Sequence, residues 1–468
     1  MALRGRKVAL SADPAFRARV EASRAFLEEL LAELPAQLTR YHGCGLGRHL
    51  DAGETRAVLL ARLVSLAQGY SAVRFELLEA LGALLNHDIL PRIPAEGSVG
   101  ASGDLTPLSY VAAVLMGERE VLSGDGCRPA AEALRAAGLA PLALAPKEAL
   151  ALMNGTAVMT GLACLAFHRA EYLGNLACRL TAFASAALLG NPGHFHPRLS
   201  RLKPHAGQGR AAARIWADLG GADPGEGARA RLQDRYSIRC APHVAGVLLD
   251  ALDWIRRDLE NELNSANDNP LFDPEARLVL HGGHFYGGHV AFAMDGLKAA
   301  VASVADLLDR QLALLVDPRY NHGLPGNLSG AAPERAALNH GLKAVQIAAS
   351  AWTAEALKLT LPAASFSRST ECHNQDKVSM GTIAARDCLR VLELSEQVAA
   401  ALLLATRQAI ALRARQGTPV EAGLSAAARA CLEQMGAGLA PVGEDRPLDL
   451  ELRRLTDAIQ QRRWSLES

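Results

Sequence analysis

The chain has 468 residues, of which 50% are hydrophobic and only 4% aromatic, so its core must consist of closely packed aliphatic side chains. Lys plus Arg and Asp plus Glu both number 49, a balance that gives no sign of a nucleic-acid or anionic-membrane surface. No stretch of about 20 residues is apolar without charges or turn breakers, which excludes a predicted membrane span. We therefore expect a protein that acts on a small molecule, with neither a nucleic-acid nor a membrane partner.

The eight cysteines are scattered along the chain without CxxC or CxH spacing. This pattern is typical of reduced thiols, so we expect a cytoplasmic protein. His281 and His284 stand close together, but neither a third ligand at a suitable spacing nor an HExxH motif accompanies them. We therefore expect no metal site.

Helical periodicity alternates with turn-rich segments along the first half of the chain. Between Gly190 and Gly227 the chain becomes polar and rich in glycine, which predicts an exposed excursion. Helices are predicted over residues 14–38, 54–86, 108–116 and 148–189.

The second half carries the clearest helical signal. Apolar residues recur at steps of three and four from Val290 to Leu315, which predicts a helix about 40 Å long. A second long helix is predicted over residues 387–415. Helices of this length need partners along their whole apolar face, so we expect an all-α bundle in which other copies of the chain supply some of the packing.

One stretch between the predicted helices, GSVGASGDLTPL from Gly97 to Leu108, has a distinctive composition. At its centre, Ala101, Ser102 and Gly103 are small enough for the glycine nitrogen to approach the alanine carbonyl carbon. Closure of that ring, with loss of water from the ring and from the serine side chain, leaves a methylidene conjugated to a five-membered ring. We interpret the tripeptide as the precursor of this electrophile.

The same twelve residues resemble the signature of the histidine, phenylalanine and tyrosine ammonia-lyase family. The family's prosthetic group, 4-methylidene-imidazole-5-one (MIO), forms autocatalytically from Ala-Ser-Gly, so the resemblance implies MIO at residues 101–103 and no metal or dissociable cofactor. At least five motifs occur in the family's order between about Phe16 and Arg415. Family members are tetramers, so a homotetramer is expected.

The resemblance also implies a fold and a division of the chain. It implies a mainly α-helical protein with an elongated central bundle of the ammonia-lyase/fumarase-like type and a smaller N-terminal part that carries the MIO loop. We expect one ammonia-lyase unit over residues 1–468. Its parts are expected at about residues 1–190 (MIO-bearing), 191–415 (long-helix bundle) and 416–468 (C-terminal helical tail).

The Gly-rich loop YHGCGLG, from Tyr41 to Gly47, resembles the family's YGVxTGFG but is one residue shorter. The resemblance implies that Tyr41 is the catalytic base. Its pKa, normally near 10, must then be lowered by a few units for work near neutral pH. His42 and Gly47 of this loop are expected to contact the substrate.

Two further motifs imply a carboxylate clamp. QDRYSIRCAP is similar to the family's QDxYSxRCxP, so Arg239 is expected to hold the substrate α-carboxylate bidentately and Tyr236 to lie near the prosthetic group. ALMNGT resembles the family's LLNGT, in which the asparagine, here Asn154, contacts both the MIO ring and the carboxylate. Asn154 is equally suited to cap the helix that follows.

The remaining motifs concern recognition of the substrate ring. HGGHFYG stands where the family has SGGNFHG; Phe285 matches and is expected to contact the substrate, whereas His284 and Tyr286 replace the usual Asn and His. In HNQD, Gln375 is typical of phenylalanine and tyrosine lyases, since histidine lyases carry Glu there.

Ser65 and Leu66 align with the family's ring-selectivity pair, although two ordinary positions on a core helix are as good a reading. Leu66 favours a carbocyclic ring, and Ser65 leaves room for a para hydroxyl. We hypothesise that His42 bonds that hydroxyl.

These motifs imply non-oxidative deamination of an aromatic L-amino acid. L-Tyrosine is favoured over L-phenylalanine, with 4-coumarate or cinnamate and ammonia as products. The alternatives are a 2,3-aminomutase on the same scaffold, a histidine ammonia-lyase, and a helical scaffold without activity.

Overall fold

The computed structural model describes residues 13–124, 126–221 and 232–466. They form two compact units, and each unit is assembled from separate stretches of the chain. The first unit consists of the residues up to Val158 together with Asn264–Tyr286 and Thr370–Val378.

This division differs from the boundaries expected near residues 190 and 415. The physical reason is that two later segments return to the N-terminal part, where Asn267 and Gln375 form hydrogen bonds with its side chains. The predicted mainly α-helical fold is confirmed. The only strands among the described residues belong to short two-stranded sheets.

The first unit contains six helices and three antiparallel strand pairs among its described residues. Its helices are α1 (Pro14–Tyr41), α2 (Ala52–Leu66), α3 (Phe75–Asn86), α4 (Leu105–Leu115), α5 (Ala130–Ala136) and α6 (Glu148–Met153). Its strand pairs are β1 (Leu46–His49) with β2 (Pro94–Glu96), β3 (Glu120–Ser123) with β4 (Gly126–Pro129), and β5 (Leu271–Asp273) with β6 (Leu278–Leu280). A 3₁₀ turn covers Glu371–His373.

Helix α2 begins where the sequence provides a complete capping box. The Asp51 carboxylate accepts the backbone N–H of Glu54 at 2.8 Å, and the Glu54 carboxylate accepts the N–H of Asp51 at 2.9 Å. Arg48, at the end of β1, pairs with Glu54 at 2.7 Å. Strand β1 follows the Gly-rich loop. These contacts fix the direction of the chain from β1 into α2.

Two predicted helices of this unit are confirmed as α1 and α4, and two others are divided. The helix predicted over residues 54–86 is separated into α2 and α3 by a turn. The helix predicted over residues 148–189 is interrupted at Asn154–Thr156, between α6 and α7 (Ala157–Ala187). This interruption supplies groups to the site described below.

The second unit is built almost entirely of helices. In chain order these are α7 from Met159 onward, α8 (Pro197–Leu202), α9 (Ala206–Asp218), α10 (Tyr236–Arg239), α11 (Ala241–Leu263), α12 (Gly288–Val316), α13 (Lys343–Lys358), α14 (Gly381–Arg415), α15 (Ala426–Met435) and α16 (Asp449–Gln460). Short 3₁₀ helices lie at Pro192–Phe195, Gly326–Leu328, Pro333–Leu338, Ala363–Phe366 and Val420–Gly423.

The long helices α12 and α14 form the core of the second unit. The predicted apolar stripe from Val290 to Leu315 is confirmed, because all its members are buried. With 29 residues, α12 is about 43 Å long. Helix α14 begins at Gly381, earlier than predicted, and its small and aliphatic side chains pack against α12 and α13.

In the stretch between Gly190 and Gly227, where an exposed excursion is predicted, residues 197–206 are largely exposed, but the described part is mostly helical, and residues 222–231 lie outside the described residues. Helix α9 lies within this stretch and packs against α11. Its contact is close because a Cβ on Gly207 or Gly246 would overlap the facing backbone. Glycine at these positions therefore permits helix packing rather than an open loop.

No helix of the described residues is long and apolar enough to cross a membrane.

Buried Arg413 joins the ends of several segments of the second unit. Its guanidinium donates to the backbone carbonyl oxygens of Ala187 at 2.9 Å, Asn321 at 2.6 Å and His322 at 3.0 Å. These carbonyls lie at or beyond helix C-termini, where intrahelical donors are lacking. Burial lowers the pKa of Arg413.

Arg413→Met is expected to destabilise the protein by about 3 kcal/mol, because it leaves buried carbonyl oxygens without donors. Denaturant unfolding at fixed protein concentration measures the change. Arg415→Met, at an exposed position of the same helix, serves as the control and is expected to stay within about 0.5 kcal/mol of the wild type. Equal stability of the two variants would contradict the role of Arg413.

Candidate active site

The Ala101–Gly103 tripeptide forms a tight turn immediately before α4. Ser102 has a φ of +51° and Gly103 a φ of +76°, so two successive residues adopt the left-handed conformation. Ser102 is strained there, since a side chain disfavours this region. The turn is anchored by Asp104, which is fully buried and accepts the Ser98 hydroxyl at 2.9 Å.

Gly103 packs directly against Gly155, which follows α6. The Asp104 N–H donates to the Gly155 carbonyl at 2.8 Å, and the Gly155 N–H donates to the Ser102 carbonyl at 3.3 Å. A Cβ on Gly103 would overlap the Gly155 peptide. The absence of a side chain at Gly103 is therefore what allows the two backbones to meet.

Asn154 and Gln375 hold Ser102 from two sides. The Asn154 side-chain amide donates to the Ser102 carbonyl oxygen at 3.2 Å, and the Gln375 amide donates to the Ser102 hydroxyl at 2.8 Å. Gln375 is oriented by the Thr370 hydroxyl, which donates to its Oε1 at 3.0 Å. The Asn154 Oδ1 is buried and finds no hydrogen-bond donor among the described residues, so it remains able to accept one.

A buried arginine lies behind this turn. Arg62 is fully buried, and its Nη1 donates to Asn267 Oδ1 at 3.3 Å. Burial lowers the pKa of Arg62 to about 10, although the Asp268 and Asp104 carboxylates counteract this effect. A Cβ on Gly155 would overlap the guanidinium, so Arg62 lies directly against Gly155.

A cavity of about 760 Å³ opens over the tripeptide in the first unit. Of the residues expected at the active site, it brings together Tyr41, His42, Ala101, Ser102, Gly103, Asn154, Phe285 and Gln375. Leucine and aromatic side chains line one part of it, and the polar segment 370–378 lines another. The cavity has room for an aromatic amino acid above the turn.

The other expected residues do not line this cavity. Ser65 and Leu66 are almost fully buried on α2, and the Ser65 hydroxyl donates to Asn267 Oδ1 at 2.9 Å. Gly47 lies in β1 with a φ of +80°, where a Cβ would meet the Glu96 side chain. These residues support the frame of the first unit rather than its cavity wall.

Tyr236 and Arg239 lie in the second unit and line another cavity, of about 580 Å³. Arg239 donates to the carbonyl oxygens of Asp234 at 3.0 Å and of the Gln233 side chain at 3.1 Å, and it stacks on the Tyr236 ring at 4.6 Å. Tyr236 is largely exposed. Neither residue is among those that line the cavity over Ser102.

The electrostatics around Tyr41 differ from the expectation. Burial raises the pKa of Tyr41, and the Glu371 carboxylate raises it further, whereas a base working near neutral pH needs a lowered pKa. The expected lowering of the pKa is therefore not observed within one chain, because burial and the Glu371 carboxylate both favour the protonated tyrosine. Lys377 is the one lysine or arginine among the residues lining this cavity.

His42 follows Tyr41 on the wall of the cavity. Its Nδ1 lies 2.9 Å from the Leu38 carbonyl oxygen. A carbonyl oxygen only accepts, so Nδ1 carries the proton and, in the neutral ring, Nε2 is an acceptor. The ring centroids of Tyr41 and His42 are 4.0 Å apart, which keeps the two side chains together.

Sequence reasoning missed Glu371 and the role of Tyr286. Glu371, Cys372 and His373 all have left-handed φ values, between +50° and +70°, and this turn brings Glu371 to the cavity. The only sequence signal for Glu371 was its position two residues before the HNQD motif, which begins at His373. Tyr286 lines the cavity, and its hydroxyl donates to the Val378 carbonyl at 3.4 Å.

His281 and His284 are exposed, and the described residues contain no group of three or more His, Cys, Asp and Glu side chains arranged to hold a metal ion.

Known proteins are similar to this chain in both sequence and fold. The family model described as "Aromatic amino acid lyase" matches residues 22–435. The chain belongs to this family. Family members named ammonia-lyases cleave a carbon–nitrogen bond, so this aromatic amino acid lyase is an enzyme of the carbon–nitrogen lyase class.

Relatives within the aromatic amino acid lyase family differ in their named substrates. The tyrosine ammonia-lyase of Cereibacter sphaeroides is 41% identical, over 94% of this chain and 86% of its own. The histidine ammonia-lyase of Gloeobacter violaceus is 38% identical, over 91% and 82%. The crystal structure of tyrosine aminomutase from Streptomyces globisporus is 36% identical with a TM-score of 0.85, over 92% of this chain and 84% of that one.

Proposed function

We propose that this lyase removes ammonia from an aromatic L-amino acid, with L-tyrosine favoured over L-phenylalanine, to give 4-coumarate or cinnamate. The observation that carries the proposal is the left-handed turn at Ser102 and Gly103 in the floor of a cavity suited to an aromatic amino acid. The 41% identity to a tyrosine ammonia-lyase supports the same substrate class.

The tripeptide fits the prosthetic group MIO that the family resemblance implies. The consecutive left-handed residues curl the backbone at the place where the ring would close, and Gly103 has no side chain to obstruct it. In forming MIO, the Gly103 nitrogen bonds to the Ala101 carbonyl carbon, whose oxygen leaves as water with the amide hydrogens of Gly103 and Ser102. Ser102 loses its hydroxyl and its Cα hydrogen as a second water. The group supplies an electrophile for the substrate's amine.

The side chains around the tripeptide have separate tasks in this proposal. Asn154 and Gln375 fix Ser102 through their side-chain amides. Tyr41 accepts the β-proton, which requires its deprotonated form. Phe285 and the leucines of the wall exclude water from the substrate ring.

Intact mass spectrometry tests the central claim. The wild-type chain is expected to weigh less than its sequence by two water molecules, whereas Ser102→Ala is expected to keep the mass of its sequence. The variant is expected to lose turnover, since oriented covalent catalysis is removed. A wild-type chain with an unmodified mass that still deaminates its substrate would refute the proposal, and an unmodified, inactive one would favour the scaffold alternative.

The choice between substrates is assigned to His42 and Gln375. Gln375 is neutral, so it provides no carboxylate for an imidazole substrate, and His42 offers its Nε2 as an acceptor for a para hydroxyl. Purified enzyme with tyrosine, phenylalanine or histidine reports the preference through the ultraviolet absorbance of the acrylate product.

His42→Ala is expected to raise KM for tyrosine by about tenfold, the value of one hydrogen bond, and to leave KM for phenylalanine nearly unchanged. Steady-state kinetics with both substrates provide the measurement. Equal changes for the two amino acids would contradict the assignment of His42.

Glu371 is expected to set the pH dependence of the proposed base. Its carboxylate raises the pKa of Tyr41, so Glu371→Gln removes a negative charge and lowers that pKa. Because the deprotonated tyrosine is active, the rising limb of the kcat/KM profile is expected to move to lower pH. Glu79→Gln, an exposed position on α3, is the control and is expected to leave the profile in place.

We further propose a homotetramer in which Tyr236 and Arg239 of another copy complete the cavity. Support comes from their position in a separate cavity and from the lack of an arginine among the described residues that form the wall over Ser102. Large apolar side chains on the long helices of the second unit are exposed in one chain, among them Val247, Phe292 and Ile347. An arginine brought to the cavity in this way would also favour the deprotonated form of Tyr41.

A 2,3-aminomutase is the second candidate, because the chain resembles the solved tyrosine aminomutase of Streptomyces globisporus. The product assay separates the two, since an aminomutase accumulates the β-amino acid and a lyase the free acrylate and ammonia.

A further inference from the structure

The Gly-rich loop that begins at Tyr41, here called the Tyr41 loop, is held in place by the turn that follows α4. On its N-terminal side, Arg40 forms a two-pronged ion pair with Glu118, at 2.7 Å from Nη2 and 3.2 Å from Nε. Arg119, the next residue of the same turn, contacts the loop on the C-terminal side of Tyr41. Two adjacent side chains therefore hold the loop both before and after the tyrosine.

Arg119 lies between the loop and an aromatic ring. Its guanidinium stacks over the Tyr110 ring at 4.3 Å, and its Nη2 donates to the Gly43 carbonyl oxygen at 3.4 Å. A Cβ on Gly43 would overlap the guanidinium, so the side chain lies directly against the loop backbone. The Tyr110 hydroxyl makes a long hydrogen bond of 3.5 Å to the Gly45 carbonyl oxygen.

The backbone of Arg119 is strained where this contact is made. Its φ is +65°, in the left-handed region that glycine adopts without cost and arginine does not. Strain of this kind persists where the surrounding contacts impose it, and it points toward a function for the side chain. At this position, the side chain's contacts are with the loop and with the ring that supports it.

We propose that Arg119 is a positioning residue, which holds the Tyr41 loop against α4 and so fixes the tyrosine over the cavity. The inference rests on the proposed role of Tyr41 as the base. Arg119 itself does not line the cavity. Its action passes through the Gly43 carbonyl, two residues from Tyr41, so its loss is felt in the alignment of the base and not in the binding of the substrate ring.

Arg119→Gly is the sharpest variant, because it deletes the side chain and relieves the backbone strain at once. The midpoint of thermal unfolding is expected to stay near the wild-type value. We expect kcat to fall by about 10- to 100-fold, the effect of a misplaced catalytic group, with KM changed by less than about threefold. Hydrogen exchange of the peptide covering residues 41–47 is expected to accelerate. Arg119→Lys keeps a cation on Tyr110 and is expected to recover part of kcat.

Arg277→Gly is the matched control. Arg277 is an exposed arginine with a φ of +54° in the turn between β5 and β6 of the same unit, and it does not line the cavity over Ser102. It undergoes the same chemical change with the same relief of strain, so wild-type kcat and loop exchange are expected.

Each other outcome overturns the inference in its own way. Wild-type kcat in Arg119→Gly, or a low kcat with unchanged loop exchange, rules out positioning of the loop. A variant that no longer loses two waters has failed in maturation, which also rejects the inference. If Tyr41→Phe kept full wild-type turnover, Tyr41 would not be the base, and both the proposed function and this inference would be rejected. If Tyr41→Phe were inactive and Arg119→Gly fully active, only this inference would be rejected.

Discussion

The contact between the backbones at Gly103 and Gly155 is the constraint on which the site depends. Neither residue has a side chain, and each would overlap its neighbours if it had one. Their contact fixes the Ser102 carbonyl, sets the start of α4 and places Asn154 beside the turn. The interruption between α6 and α7 is therefore a requirement of the site, since a continuous helix would not present the Gly155 peptide.

Charge around the site is unevenly distributed. A cationic arginine, Arg62, lies buried behind the turn, whereas the cavity above it contains Glu371 next to the tyrosine. The field within one chain thus favours the protonated tyrosine, and the proposed clamp from another copy would reverse it.

Sequence reasoning succeeded where local pattern determines structure. The stripe from Val290 to Leu315 gave α12, because periodicity of apolar residues directly reflects burial of one helix face. The turn at Ala101–Gly103 was recognisable, because small residues permit a conformation that larger ones exclude. Asn154 was expected at the prosthetic group and Gln375 at the substrate, and both contact Ser102.

It failed where a property depends on residues distant in the chain. The pKa of Tyr41 is raised by burial and, in addition, by Glu371, whose approach results from three consecutive left-handed residues that no local rule predicts. Ser65 was assigned to the cavity, but its hydroxyl is engaged by Asn267 from a later segment. Polar, glycine-rich composition suggested an open excursion, whereas much of that stretch is helical and Gly207 permits α9 to pack closely on α11.

The discontinuity of the first unit bears on when the enzyme becomes competent during synthesis. Asn267 and Gln375 are contributed by segments that leave the ribosome long after Ser102, and both bond to side chains of the N-terminal part. A nascent chain that ends before residue 370 lacks the donor to the Ser102 hydroxyl. The cavity is thus a late product of translation, completed only after most of the helical bundle has emerged.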